Sequence, residues 1–185
     1  MIKVQSLGMA GVYLLTPARN FDERGYFFEA YNRKSLEEHG LIFDFVQDNA
    51  SLSLRVNTIR GLHFQRPQSA QTKLIWVNQG AIQDVIVDIR RSSATYRQHL
   101  SIELSASNGH QLLVPRGFAH GFRTIERDTV VQYKTDAYYS PEDDCGLRWN
   151  DPDLGIDWKC NESEAILSEK DRKLPLLREL PVYFS

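Results

Sequence analysis

The chain has 185 residues, 42% of them hydrophobic, with 22 Lys and Arg against 24 Asp and Glu for a formal net charge of −2. That length suffices for one domain with a substantial core, and the near balance of charge excludes a broad basic footprint for nucleic acid or for an anionic membrane surface, so any anion site must be local. Cys145 and Cys160 fit neither a Cys-x-x-Cys nor a zinc-ligand spacing and read as free thiols of a reducing, cytoplasmic compartment.

The first stretch, MIKVQSLGMAGVYLL, has too short an apolar core for a signal peptide, and no run approaches the roughly 20 apolar residues that cross a bilayer. Residues 4–15 are therefore expected to form a first strand, with another at 26–31. Asn32 then precedes RKSLEEHG, a short helix with Gly40 as its stop. Strands are expected at 73–77, 81–89, 100–104, 111–114 and 129–133, where Val, Ile, Leu, Phe and Tyr cluster between turn residues. In QGAIQDVIVDIR, Val85, Val87 and Ile89 alternate with Asp84, Ile86 and Asp88, which predicts one buried face and one mixed, half-wet face. In GHQLLVPRGFAHGF (109–122), Pro115-Arg116-Gly117 marks a turn, and the next strand begins at Phe118, so His120 lies beside a strand end.

From about residue 140 the chain reads as a polar, loop-rich tail. Its helix signal is SEKD, with Ser168 as cap, Asp171 three residues on and Pro175 as limit. Short strands with turn signals about every ten residues imply a mainly β, antiparallel double-sheet domain spanning 1–185, with a few short helices.

Arg60, His63, Lys73 and His120 fall on neighbouring expected strands and would concentrate positive and protonatable groups into an anion site suited to a diphosphate. YKTDAYY (133–139) adds three tyrosines, readable as core and rim packing or as a proton donor beside a ring that stacks on a flat base.

The spacing from Gly109 to His120 resembles the second motif of the cupin jelly rolls. The metal-binding members of that superfamily add an earlier His-x-His set, which here is depleted: His63 is present, Gln65 holds the second position, and no acid follows before Lys73. Two histidines and a glutamine are a poor set for a transition metal, so no metal is expected.

Together FDERGYFFEAYN (21–32), FVQDNAS (45–51), IRGLHFQ (59–65), AQTKL (70–74), DVIVDIR (84–90), LLVPRGFAHGF (112–122), YKTDAYYSP (133–141), LRWNDPDLGIDW (147–158) and LSEKD (167–171) resemble the dTDP-4-dehydrorhamnose 3,5-epimerase family over nearly the whole chain. The resemblance implies a cupin-like jelly roll that inverts C3 and C5 of a dTDP-4-keto-6-deoxy sugar without a cofactor. It makes His63 the base, Asp171 its orienting carboxylate, Tyr133 the acid on the opposite face and Lys73 the group that stabilises the enolate. Arg24, Glu29, Gln47, Asp48, Asn49, Arg60 and His120 would hold the nucleotide, Tyr139 would stack on thymine, and Asp144 and Lys170 would sit near the sugar nucleotide. It also implies a homodimer in which the N-terminal strand pairs with the partner's sheet. A single-site epimerase acting on a related dTDP-4-keto sugar is the alternative that product stereochemistry separates. A metal-dependent oxygenase and a non-catalytic binding module are less consistent with Gln65 and with the combination of His63, Tyr133 and Asp171.

Overall fold

The computed structural model of the protein describes residues 2–185. In chain order the elements are β1 (Ile2–Ser6), β2 (Tyr13–Pro17), β3 (Asn20–Asp22), β4 (Gly25–Phe27), α1 (Arg33–Glu37), β5 (Gln47–Ser53), β6 (Ile59–Gln65), β7 (Lys73–Gln79), β8 (Ala81–Asp88), β9 (His99–Ser105), β10 (Gln111–Val114), β11 (Phe118–Thr124), β12 (Thr129–Thr135), β13 (Asp144–Gly146) and α2 (Glu169–Arg172), with three short 3-10 turns. A six-stranded sheet ordered β1-β2-β10-β7-β12-β5 packs on a five-stranded sheet ordered β13-β6-β11-β8-β9, and β3 and β4 form a separate two-stranded hairpin. All pairings between these strands are antiparallel, so the protein is the cupin-like jelly roll that the spacing of short strands implies.

Several expectations are corrected in detail. Residues 4–15 form a hairpin rather than one strand. Gly8 and Gly11 take φ of 81° and 84°, which other residues rarely adopt, and they reverse the chain so that β1 pairs with β2 of the same chain. The strand expected at 26–31 ends at Phe27, and residues 28–32 carry no strand pairing. Periodicity marks neither β5 nor the extent of β6, whose residues mix polar and apolar types, although Arg60 and His63 are expected on a strand. The turn at 115–117 and the helix after Ser168 are as expected: Gly117 has φ of 86°, and the Asp171 amide donates to Ser168 Oγ at 3.0 Å.

The largest correction concerns β8. Its expected half-wet face does not exist, because every residue of Ala81–Asp88 is buried. Ile82 and Ile86 face inward against Phe118, Phe122, Ile75 and Val131. Val85 and Val87 face outward, and the tail covers them with Trp149, Leu154 and Trp158. The loop-rich tail is thus an outer layer of core, held in part by the Trp158 indole donating to the Trp149 carbonyl at 2.7 Å.

Asp88 shows what a structural carboxylate needs at such depth. It accepts from Arg90 Nε and Nη2 at 2.9 and 2.7 Å, from the Arg90 amide at 3.0 Å, and from the Ser93 and Thr95 hydroxyls at 2.6 Å each. Burial acts to raise its pKa, yet these donors prevail and hold it at about 2. Because the folded value is depressed, its contribution to stability is present above the ordinary carboxylate range and is lost as pH falls toward 2. Asp88→Ala strands Arg90 and is expected to cost about 3 kcal/mol, read by calorimetry as a Tm lowered by roughly 6–12 °C.

Candidate active site

A cavity of about 480 Å³ opens between the two sheets. Strand β6 contributes Arg60 and His63, β11 contributes His120, β7 contributes Lys73, β12 contributes Tyr133, and α2 contributes Lys170 and Asp171. Strand alternation, together with a register shift between β6 and β11 that admits Arg60 as well as His63, explains the assembly. His63 and His120 are paired in register across β6 and β11, so both point to the inner face, while Leu62 and Phe64 pack outward under the tail. Tyr133 and Lys73 come from the opposite sheet, with the Lys73 ammonium 6.0 Å from the Tyr133 ring centroid.

His63 Nε2 lies 2.6 Å from Asp171 Oδ1, across 108 residues of sequence. Asp171 is only 3% exposed, so this carboxylate is well placed to fix the ring and leave Nδ1 as the nitrogen away from it. Burial acts to raise the Asp171 pKa, but the hydrogen bond and charge of His63, with Ser168 and the Gly61 amide, keep it below the usual carboxylate range. Burial also raises the Tyr133 phenol, with Asp144 adding and Arg60 opposing, so Tyr133 stays protonated at neutral pH. Burial lowers the Lys73 ammonium to about 8, with Asp144 and Asp84 opposing.

A polar rim continues the site. The Tyr139 hydroxyl donates to Asp144 Oδ2 at 2.8 Å, Lys170 Nζ donates to the same oxygen, and the Tyr139 amide donates to Gln47 Oε1 at 3.0 Å. Burial acts to raise Asp144, but Lys170 and Tyr139 hold it below its ordinary value, while Asp144 raises the Tyr139 phenol. Gln47 donates to Asn49 at 2.8 Å, and Asn49 is paired in register with Tyr133. Arg60 Nε donates to Ser53 Oγ at 3.1 Å and Nη2 to the Leu52 carbonyl at 3.0 Å, which fixes the guanidinium at the cavity wall.

Three expected residues belong neither to the lining of this cavity nor to its polar rim within the chain. Asp48 sits on the other face of β5, where Lys134 Nζ donates to it at 2.8 Å. Arg24 is at the tip of the exposed β3–β4 hairpin and pairs with Asp22. Glu29 lines a separate cavity of about 240 Å³ beside α1 and accepts from Asn32 at 3.0 Å. Conversely, Phe122, Ile166 and Leu167 form walls that no sequence signal marked, and Asp84, seen only as one of two acids in an apolar strand, lies behind His120.

Gln65, at the position a metal-binding relative of the fold would fill with histidine, is used as a clamp. Its Nε2 donates to the Ser69 carbonyl at 2.6 Å and its Oε1 accepts from the Ser140 amide at 2.7 Å. Among the described residues no group of three His, Cys, Asp or Glu side chains is placed to hold a metal ion.

The model of the family described as dTDP-4-dehydrorhamnose 3,5-epimerase matches residues 6–179. A curated dTDP-4-dehydrorhamnose 3,5-epimerase of Sinorhizobium fredii is 49% identical over 180 residues, covering 97% of this chain and 92% of that one. The crystal structure of the Bacillus anthracis dTDP-4-dehydrorhamnose 3,5-epimerase with TDP and PPi bound superposes with a TM-score of 0.92 at 52% identity, over 95% of this chain and 99% of that one. A Legionella pneumophila dTDP-6-deoxy-D-glucose-3,5-epimerase in complex with dTDP-4-keto-L-rhamnose superposes with a TM-score of 0.93 at 37% identity, over 98% and 95% of the two chains. Matched along almost its full length in sequence and in fold, the chain belongs to the dTDP-4-dehydrorhamnose 3,5-epimerase family.

Proposed function

We propose that the protein inverts C3 and C5 of dTDP-4-dehydro-6-deoxy-D-glucose to give dTDP-4-dehydro-L-rhamnose by proton transfer through an enolate. The observation that carries this reading is that His63 and Tyr133 enter one cavity from opposite sheets, with Lys73 beside Tyr133. Inversion needs a base on one face of a planar intermediate and an acid on the other, and two facing sheets supply that arrangement.

His63, oriented by Asp171, removes the proton α to the C4 ketone, and the electron pair moves onto the carbonyl oxygen. The Lys73 ammonium stabilises the oxyanion as it forms. Tyr133 then protonates the carbon from the other face, which restores the ketone. Solvent returns a proton to the phenolate and takes one from the imidazolium before the second carbon reacts. The overall change is redox-neutral, so the chemistry calls for no oxidant or reductant.

Arg60 and His120 supply positive and hydrogen-bonding groups for the diphosphate or sugar. Tyr139, 52% exposed, supplies a face for thymine, with Asp144, Lys170, Gln47 and Asn49 around it. Arg24 and Glu29 reach a nucleotide only in an assembly. The exposed Phe21 and Phe27 beside them, at 73% and 72%, fit a homodimer, for which sedimentation is expected to give twice the mass of the 21.3 kDa chain. Within the chain the tail works as part of one folding unit, since it delivers Asp144, Lys170 and Asp171. No described helix is long and apolar enough to cross a membrane, and the two free cysteines suit the cytoplasm, where a nucleotide-sugar substrate would be met.

The test is proton NMR of dTDP-4-keto-6-deoxyglucose with the protein in D2O. Deuterium is expected at both C3 and C5, insensitive to EDTA. Exchange at one carbon alone would redirect the assignment to a single-site epimerase, and no exchange would overturn the reading. Asp171→Asn keeps the shape of the dyad but removes the charge that favours a charged His63, and exchange is expected to slow by about 10²-fold in the same assay.

A further inference from the structure

Asp84 is a buried acid beside the cavity that this mechanism leaves unused. It is 0% exposed on the inner face of β8, among Ile82, Ile86 and Phe122. Its Oδ2 lies 2.8 Å from His120 Nε2, and its Oδ1 is buried without a hydrogen-bond partner among the described residues. Four residues along the same strand face, Asp88 has five donors on its two oxygens. A carboxylate serving only the fold is satisfied in that way, whereas a bare buried oxygen asks for another explanation.

Two neighbours supply one. His120 lines the cavity and has only one of its nitrogens turned to Asp84, so the carboxylate decides which nitrogen carries the proton and which faces elsewhere. Lys73 lies across the cavity, and the charge of Asp84 favours its protonated form. The other groups around Lys73 act in both directions. Tyr133 on β12 is neutral at neutral pH, Arg60 on β6 and Lys170 on α2 are cations, and His63 and His120 carry charge only when protonated. The remaining anions are Asp171, which is taken by His63, and Asp144, which is taken by Lys170 and Tyr139. Asp144 acts on Lys73 as well, and more strongly, but its oxygen is shared with those two donors. Among the described residues Asp84 pairs with His120 and with no Lys or Arg.

We propose that Asp84 is a positioning residue for the enolate-binding half of the site, holding His120 with its proton on Nε2 and setting a carboxylate behind the cavity that Lys73 lines. The proposal deepens the epimerase reading and rests on it for the use made of Lys73, but its own readouts require no turnover.

The tautomer is read on the unaltered protein by long-range 1H–15N NMR of His120. A proton on Nε2 is expected, and a ring protonated at Nδ1 alone would overturn the proposal. Lys73 is read through the 15N titration of its Nζ. Since burial has brought it to about 8 with Asp144 and Asp84 opposing the shift, Asp84→Asn is expected to move the midpoint lower. The alkaline limb of kcat should move with it, because the ammonium is lost as pH rises through that midpoint. An unmoved Nζ midpoint in a folded Asp84→Asn protein would overturn the proposal, and if that variant does not fold, the tautomer of the unaltered protein still decides. Absence of epimerase turnover with both NMR results as expected would count against the substrate reading and leave the role of Asp84 standing.

Discussion

His63→Gln is expected to abolish both deuterium exchange and product formation, with kcat down by 10⁴-fold or more, equivalent to about 5.5 kcal/mol in the barrier. Glutamine is the informative replacement because its amide nitrogen can occupy the place of Nε2 and donate to Asp171. Alanine would leave that carboxylate, 3% exposed, buried without its main partner and would confuse lost chemistry with lost stability. With glutamine the cavity keeps its lining and charge, so KM for the sugar nucleotide should change little. The variant separates a base from a binding group. If His63 only contacted substrate, exchange in D2O would persist at saturating substrate, and the whole acid–base assignment would fail with it. Asp171 is ionised well below neutrality, so an acid limb in the pH profile of the unaltered protein would belong to the base and not to its orienting partner.

How far the sequence could lead to this site depends on the range over which each residue acts. Ser168 and Asp171 are readable together because a helix cap is a local arrangement, and the cap places Asp171 on the inner side of α2. His120 is readable because a proline-glycine turn precedes it and strand alternation follows. The reach of Asp171 to His63 spans the whole fold, and periodicity has no access to it; family resemblance supplied that pairing. The misread face of β8 has the same origin. Alternation detects which residues share a face, but whether the second face is wet depends on what covers it, here a tail that begins more than 50 residues later. Asp48 shows the reverse error. Its place between Gln47 and Asn49 in a motif suggests a shared role, yet alternation along β5 sends its side chain to the opposite face, where Lys134 meets it. A motif names a stretch of chain, and on a regular strand only every second residue of it enters the same cavity, whereas the irregularity in β6 lets both Arg60 and His63 do so.

Tyr133→Phe should divide the reaction where His63→Gln stops it. The phenol is mostly buried and its pKa is raised, so at neutral pH it carries a proton to give and does not compete as a base. Phenylalanine removes that proton with almost no change of shape and leaves in place the Lys73 ammonium, 6.0 Å from the ring centroid. Proton removal by His63 is therefore expected to continue. The enolate then has no donor on its far face and is reprotonated from the side that released the proton. In D2O this predicts deuterium entering the substrate with retained configuration, while inverted product falls by about 10³-fold. Exchange and inversion would thus come apart in one spectrum. If both fell equally, Tyr133 would be needed before the enolate forms and its place as the opposite-face acid would be lost. If neither fell, another proton donor would have to reach the face that β12 presents. Because the two carbons are read separately, the same spectrum shows whether Tyr133 serves both, which turns on how far the sugar ring must rotate between the two sheets.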